Sequence, residues 1–260
     1  MLSYQIEGKG KPILLIHAFP LSSQMWKEQI KILSSFSRVI ALDLPGFGKS
    51  PRIPQVSLAE MAEQIHLLLE QLKIQEPVFI AGLSMGGYIA FEFFRQFPER
   101  ISGLGLFSTR AKPDTPEGKQ KRMEVVGAIE KEGTVPFAEK TVKNLLGKTS
   151  FDQNPNLVVA VKRQILQNSK EGINDALKAM ASRSDSTALL GQIAVPVLVM
   201  GGQEDTVIPV DEMKAMAGVI RGAEIELFEK AGHLINLEAG AQLNEKLADF
   251  IKRKILKTGV

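Results

Sequence analysis

Gly82-Leu83-Ser84-Met85-Gly86-Gly87 has the spacing of a serine nucleophile, G-x-S-x-G. It follows the apolar run Val78–Ala81 and opens an amphipathic stretch that continues through Phe97. A serine raised on a sharp turn between strand and helix stands clear of the sheet. Gly82 and Gly86 flank it because side chains there would collide as the two elements close. The helix N-terminus favours the negative charge that develops during acyl transfer. A Gly-rich turn without chemistry is the bland alternative, and the flanking strand and helix weigh against it.

A hydroxyl nucleophile needs a base. The chain has no cysteine and three histidines, so the base is His17, His66 or His233. His66 falls within a helical pattern, beside its apolar stripe. His17 ends a strand and reads as a residue that shapes the following loop. His233, in Ala231-Gly232-His233, follows the last strand-like run, at the end of the sheet where ligand sites of open α/β sheets lie. An orienting carboxylate comes from Asp205, just past the strand Val195–Met200. Its neighbour Glu204 and the more distant Asp114 are rivals. The two oxyanion donors are read as the backbone N–H of Met85 and that of Phe19, in the loop after His17. Phe19 and Met85 are also expected to line the substrate pocket.

These residues must be carried by elements that converge. Short apolar runs at 13–17, 38–42, 78–81, 104–107, 195–200 and 225–228 read as strands buried on both faces. Amphipathic segments at 23–33, 57–74, 86–97, 210–219 and 239–255 read as helices. Ser57 with Glu60 marks a capping box. The alternation predicts a doubly wound, mostly parallel α/β sheet of about seven strands. Ser3–Glu7, followed by Gly8-Lys9-Gly10-Lys11, predicts an antiparallel edge strand joined to the first apolar strand as a hairpin. Residues 111–190 hold no strand-like run. Helical stretches near 117–131, 135–146, 156–169 and 172–181 predict a helical cap within a core made of 1–110 and 191–260.

Composition narrows the chemistry further. Without cysteine there is no thiolate nucleophile, iron–sulfur cluster or disulfide scaffold. The net charge of +3 on 260 residues is far short of a nucleic-acid footprint. It lies within 111–190, which hold 13 basic and 10 acidic residues, the remainder holding 19 of each. No signal peptide and no membrane-spanning run is visible, so a cytoplasmic location is expected, with no membrane partner.

His17-Ala18-Phe19-Pro20, Asp43-Leu44-Pro45-Gly46-Phe47-Gly48-Lys49-Ser50, Gly82–Gly87, Gly201–Pro209 and Ala231-Gly232-His233 together resemble the α/β-hydrolase superfamily. The stretches 82–88, 108–111 and 180–187 are similar to small carboxylesterases and 3-oxoadipate enol-lactonase-like enzymes. The resemblance implies a Ser-His-Asp hydrolase with a four-helix cap and no cofactor. It implies a small ester or lactone as substrate, and a monomer or small homo-oligomer. Two departures stand out: Ala18 occupies a position usually held by glycine, and the late start of the chain predicts one edge strand fewer than the family's eight. C–C bond hydrolysis and cofactor-free perhydrolysis use the same triad, and a slow-turnover ligand sensor uses the same fold. Dehalogenation commonly needs Asp where Ser84 stands.

Overall fold

Leu14, Ile16, Ile40, Leu42, Ile80 and Leu106 belong to one hydrophobic core. Their sequence neighbours Ile13, Leu15, Val39, Ala41, Ala81 and Phe107 belong to a second. This period of two is that of strands in a sheet covered on both faces. The computed structural model describes residues 1–257 and shows that sheet. Its strands are β1 (Tyr4–Glu7), β2 (Pro12–Ile16), β3 (Arg38–Leu42), β4 (Val78–Leu83), β5 (Ile101–Phe107), β6 (Val197–Gly202) and β7 (Glu224–Phe228). They lie in the order β1-β3-β2-β4-β5-β6-β7, and all pairings but β1–β3 are parallel.

The expected edge strand is present, but the expected hairpin is not. β1 pairs antiparallel with β3, Tyr4 opposite Leu42 and Glu7 opposite Val39, and does not touch β2 in the sheet. The reason lies in the edges of β2. This fully buried strand pairs in parallel with β3 on one side and β4 on the other, so neither edge is left for β1. The largely exposed β1 is left for the outer side of β3. Gly8 makes the detour possible: its φ is +78°, and a Cβ there would lie 2.1 Å from the Ser37 carbonyl oxygen.

Helices α1 (Lys27–Leu33), α2 (Leu58–Gln71) and α3 (Met85–Gln96) flank the first strands of the sheet. The segment 23–33 is less regular than expected, since its first turn, Ser23–Trp26, is 3-10. Ser57 and Glu60 close a reciprocal capping box at the start of α2. Between β5 and β6 the chain is helical throughout its regular structure: α4 (Pro116–Glu132), α5 (Thr134–Leu145), α6 (Lys148–Gln153), α7 (Pro155–Leu166) and α8 (Lys170–Ala181), then a 3-10 segment. Periodicity in the sequence gives no sign of the short α6. Asn168 ties this segment to the loops around the sheet, donating to the Pro20 carbonyl and accepting from the Gly48 N–H. Helices α9 (Val210–Val219), α10 (Ile235–Glu238) and α11 (Gly240–Ile251) complete the flanks. Among the described residues, no helix is long and apolar enough to cross a membrane.

Candidate active site

The loops that follow β2, β4, β6 and β7 all leave the carboxyl ends of parallel strands, where open α/β sheets bind ligands. They carry Phe19, Ser84, Asp205 and His233 respectively.

Ser84 sits between β4 and α3 with φ +55° and ψ −110°, a conformation costly for any residue with a side chain. Four hydrogen bonds hold it there. Its N–H donates to the Phe107 carbonyl at 2.8 Å, and its own carbonyl accepts from Thr109 Oγ1 at 2.9 Å and from the Gly87 and Tyr88 N–H groups at 2.9 and 3.2 Å. The glycines permit the turn by close approach. A Cβ on Gly82 would lie 2.2 Å from the Gly86 carbonyl oxygen, and one on Gly86 would lie 2.3 Å from that of Ile16.

His233 and Asp205 meet. His233 Nδ1 lies 2.8 Å from Asp205 Oδ2, and the other carboxylate oxygen accepts from the Val207 and Ile208 N–H groups at 2.8 and 2.9 Å. The carboxylate is thus fixed on one oxygen and free to orient the ring with the other. Its two rivals are engaged elsewhere. Glu204 accepts from the Thr149 N–H at 2.7 Å and from Thr149 Oγ1 at 2.5 Å, securing α6. Asp114 pairs with Arg110, Arg122 and Arg183. Burial pushes its pKa up, but the hydrogen bond and charge of Arg122, with Arg183 adding to them, outweigh this and hold it below its ordinary value.

The other histidines lie apart from this pair. His17 Nε2 accepts from the Leu44 N–H at 3.0 Å and Nδ1 donates to the Ala18 carbonyl at 2.9 Å, so both nitrogens are used in shaping the loop. Burial pushes its pKa down to about 4, which keeps the ring neutral. His66 stacks on Phe97 at 4.0 Å between ring centroids.

Ser84 and His233 line one cavity of about 160 Å³. Phe19, Leu145, Met180 and Val207 supply apolar wall; Tyr88, Arg122, Thr141 and Asn144 supply polar groups. Phe19 also packs against Phe47 and Phe137. Met85 is not part of this wall. Its side chain is fully buried in the hydrophobic core, because the first turn of α3 points it into the sheet packing. Its backbone is a different matter: among the described residues, neither the Met85 N–H nor the Phe19 N–H donates to a protein acceptor. Of the wall residues, Tyr88, Arg122, Thr141, Asn144, Leu145, Met180 and Val207 carry no signal in the sequence that marks them for the site. Five of these seven come from α4, α5 and α8, whose approach to the sheet is set by long-range packing. A second cavity, about 240 Å³, opens between α4 and α5 and shares Thr141 and Asn144 with the first. No cluster of side chains suited to a metal ion occurs among the described residues.

A fold of this order, with a serine elbow after its fourth strand, defines a class. Residues 11–240 match the family model described as alpha/beta hydrolase fold, and the chain belongs to that family. A thermophilic esterase from Thermogutta terrifontis, solved with malate bound, is 37% identical with a TM-score of 0.94, covering 97% of this chain and 93% of that one. The 3-oxoadipate enol-lactonase 2 of Acinetobacter baylyi is 27% identical over 97% of this chain and 93% of its own length. The dihydrolipoyllysine-residue acetyltransferase component of the acetoin cleaving system of Pseudomonas putida is 28% identical over 96% of this chain, which spans only 66% of that relative's length.

Proposed function

We propose that the protein is a serine hydrolase of small carboxylic esters or lactones, with Ser84 as nucleophile, His233 as base and Asp205 as the acid that orients it. The observation that carries this reading is that Ser84 and His233 line one cavity while Asp205 holds the Nδ1 side of the same histidine. That leaves Nε2 as the ring nitrogen for proton transfer. In the proposed reaction Ser84 Oγ attacks the carbonyl carbon as its proton passes to His233 Nε2. The tetrahedral oxyanion is met by the Phe19 and Met85 N–H groups, which have no acceptor among the described residues. Collapse breaks the C–O bond, and His233 returns the proton to the departing alkoxide. Water, deprotonated by the same nitrogen, then releases the acid and restores Ser84.

The cavity volume of about 160 Å³ favours small substrates, since drug-sized ligands occupy clefts of roughly 300–1,000 Å³. Helices α4–α8 supply Arg122, Thr141, Asn144, Leu145 and Met180 to its wall, so we assign 111–190 as a cap over a core of 1–110 and 191–260. Similarity to an esterase and to an enol-lactonase over nearly the whole chain supports the same substrate class.

The test is turnover of p-nitrophenyl acetate and of a small lactone by the protein and by Ser84→Ala. The expected outcome is a burst of p-nitrophenol equal to the protein concentration, a serine acyl adduct by mass spectrometry, and loss of both in the variant. Full activity in Ser84→Ala would overturn the assignment.

A further inference from the structure

Arg122, which lines the cavity of the proposed nucleophile, belongs to a cluster in which one carboxylate faces three guanidinium groups. Asp114 receives Arg122 Nε at 2.5 Å, Arg183 Nη1 at 2.9 Å and Arg110 Nη2 at 3.0 Å. Among the described residues, no second carboxylate pairs with any of the three, so the cluster holds a surplus of positive charge. Arg183 is spent on structure. It is buried, lies over the Tyr88 ring at 4.2 Å, and donates to the carbonyls of Met180 and Lys112.

Arg122 is different. Its Nε and Nη2 turn to Asp114, but among the described residues its Nη1 meets only the Met180 sulfur, at 3.6 Å. A thioether is a weak acceptor and leaves that donor edge largely unspent. Arg122 and Met180 both line the cavity that holds Ser84 and His233. A guanidinium edge is a planar fork of fixed charge, matched in shape to a carboxylate.

We infer that the site selects esters or lactones carrying a carboxylate, and that Arg122 is the residue that receives it. This rests on the serine-hydrolase reading for the position of the scissile bond. The surplus charge of the cap then has a use beyond its solvated faces. Asp114 is the positioning residue for Arg122, and it keeps Arg183 and Arg110 as partners when Arg122 is replaced by a neutral side chain.

The decisive comparison uses two substrates of matched shape: mono-p-nitrophenyl glutarate and p-nitrophenyl 5-methylhexanoate, in which an isopropyl group replaces the carboxylate. The parent protein should have the higher kcat/KM on the glutarate. Arg122→Gln should lower the ratio of the two kcat/KM values by roughly 10- to 100-fold, the loss expected for one charge-assisted hydrogen bond, chiefly through KM. Arg122→Lys should fall between them. A ratio unchanged by Arg122→Gln would overturn the inference.

Binding separates this inference from the hydrolase reading. Calorimetry on Ser84→Ala with glutaranilic acid and with 5-methylhexananilide reads recognition without chemistry. Tighter binding of the anionic anilide, lost in Ser84→Ala/Arg122→Gln, supports the assignment. Equal binding of the two anilides overturns it. Turnover undiminished in Ser84→Ala would instead sink the nucleophile assignment, and the anilide comparison would still decide the role of Arg122.

Discussion

Asp205 Oδ2 lies 2.8 Å from His233 Nδ1, with both side chains withdrawn from solvent. A hydrogen bond of this kind is stronger in a low-dielectric interior, and it fixes which ring nitrogen carries the proton. Asp205→Asn keeps the shape but offers the ring an amide, which favours the wrong tautomer. The expected result is a loss in kcat on the order of 10³–10⁴, with an unchanged circular dichroism spectrum.

Glu204 adjoins Asp205 in sequence but serves Thr149. Glu204→Gln should therefore leave kcat within about 3-fold, while lowering stability by about 1 kcal/mol through weaker hydrogen bonds at α6. Parallel kcat and urea-unfolding measurements on the two variants separate the neighbours. A collapse of kcat in Glu204→Gln with Asp205→Asn fully active would reverse the assignment.

The sequence could place an acid in the loop after β6 but had to choose between two adjacent residues. The structure shows what separates them: the Val207 and Ile208 N–H groups fix Asp205, and α6, which periodicity does not reveal, takes Glu204. The strands of the sheet were legible because Ile13–Ile16 and Val78–Ala81 are apolar on both faces. The partner of β1 was not legible, since two buried faces show that layers cover the sheet and say nothing of which strand β1 joins. Arg122 was illegible. The pattern of α4 does not tell which of its charged residues turns toward the cavity of Ser84, because that depends on packing against α8, distant in sequence, as well as on Asp114 just before the helix.

Two glycines should respond oppositely to the same change. Gly86→Ala drives a methyl to 2.3 Å from the Ile16 carbonyl oxygen and should cost about 3 kcal/mol or more, a fall in Tm on the order of 10 °C. Gly127 lies exposed within α4, where an added methyl would meet no described atom within 4 Å beyond the adjoining backbone and chain neighbours of its own helix, and Gly127→Ala should gain about 0.5–1 kcal/mol. Differential scanning calorimetry reads both.

His17 predicts an acid-side loss of stability. Its native pKa, about 4, is below its ordinary 6.5, so between these values the unfolded chain binds the proton and the native one does not. Stability is complete above pH 6.5 and falls by about 1.4 kcal/mol per unit as pH drops toward 4, on the order of 3 kcal/mol in all. His17→Gln should be less stable at pH 7 and show a shallower slope between about pH 6.5 and 4.5. Equal slopes in chemical unfolding would show that His17 is not the source.

The strand order has a consequence in time. β5 ends at Phe107 and its neighbour β6 begins at Val197, with five helices between them. A ribosome therefore delivers Ser84 and the Phe19 loop, in four parallel strands already able to pair, long before it delivers Asp205 and His233. The nascent chain carries an unassisted alcohol through most of its synthesis. Under the proposed assignment, reactivity switches on only when the last two strands dock, which couples the onset of chemistry to completion of the fold.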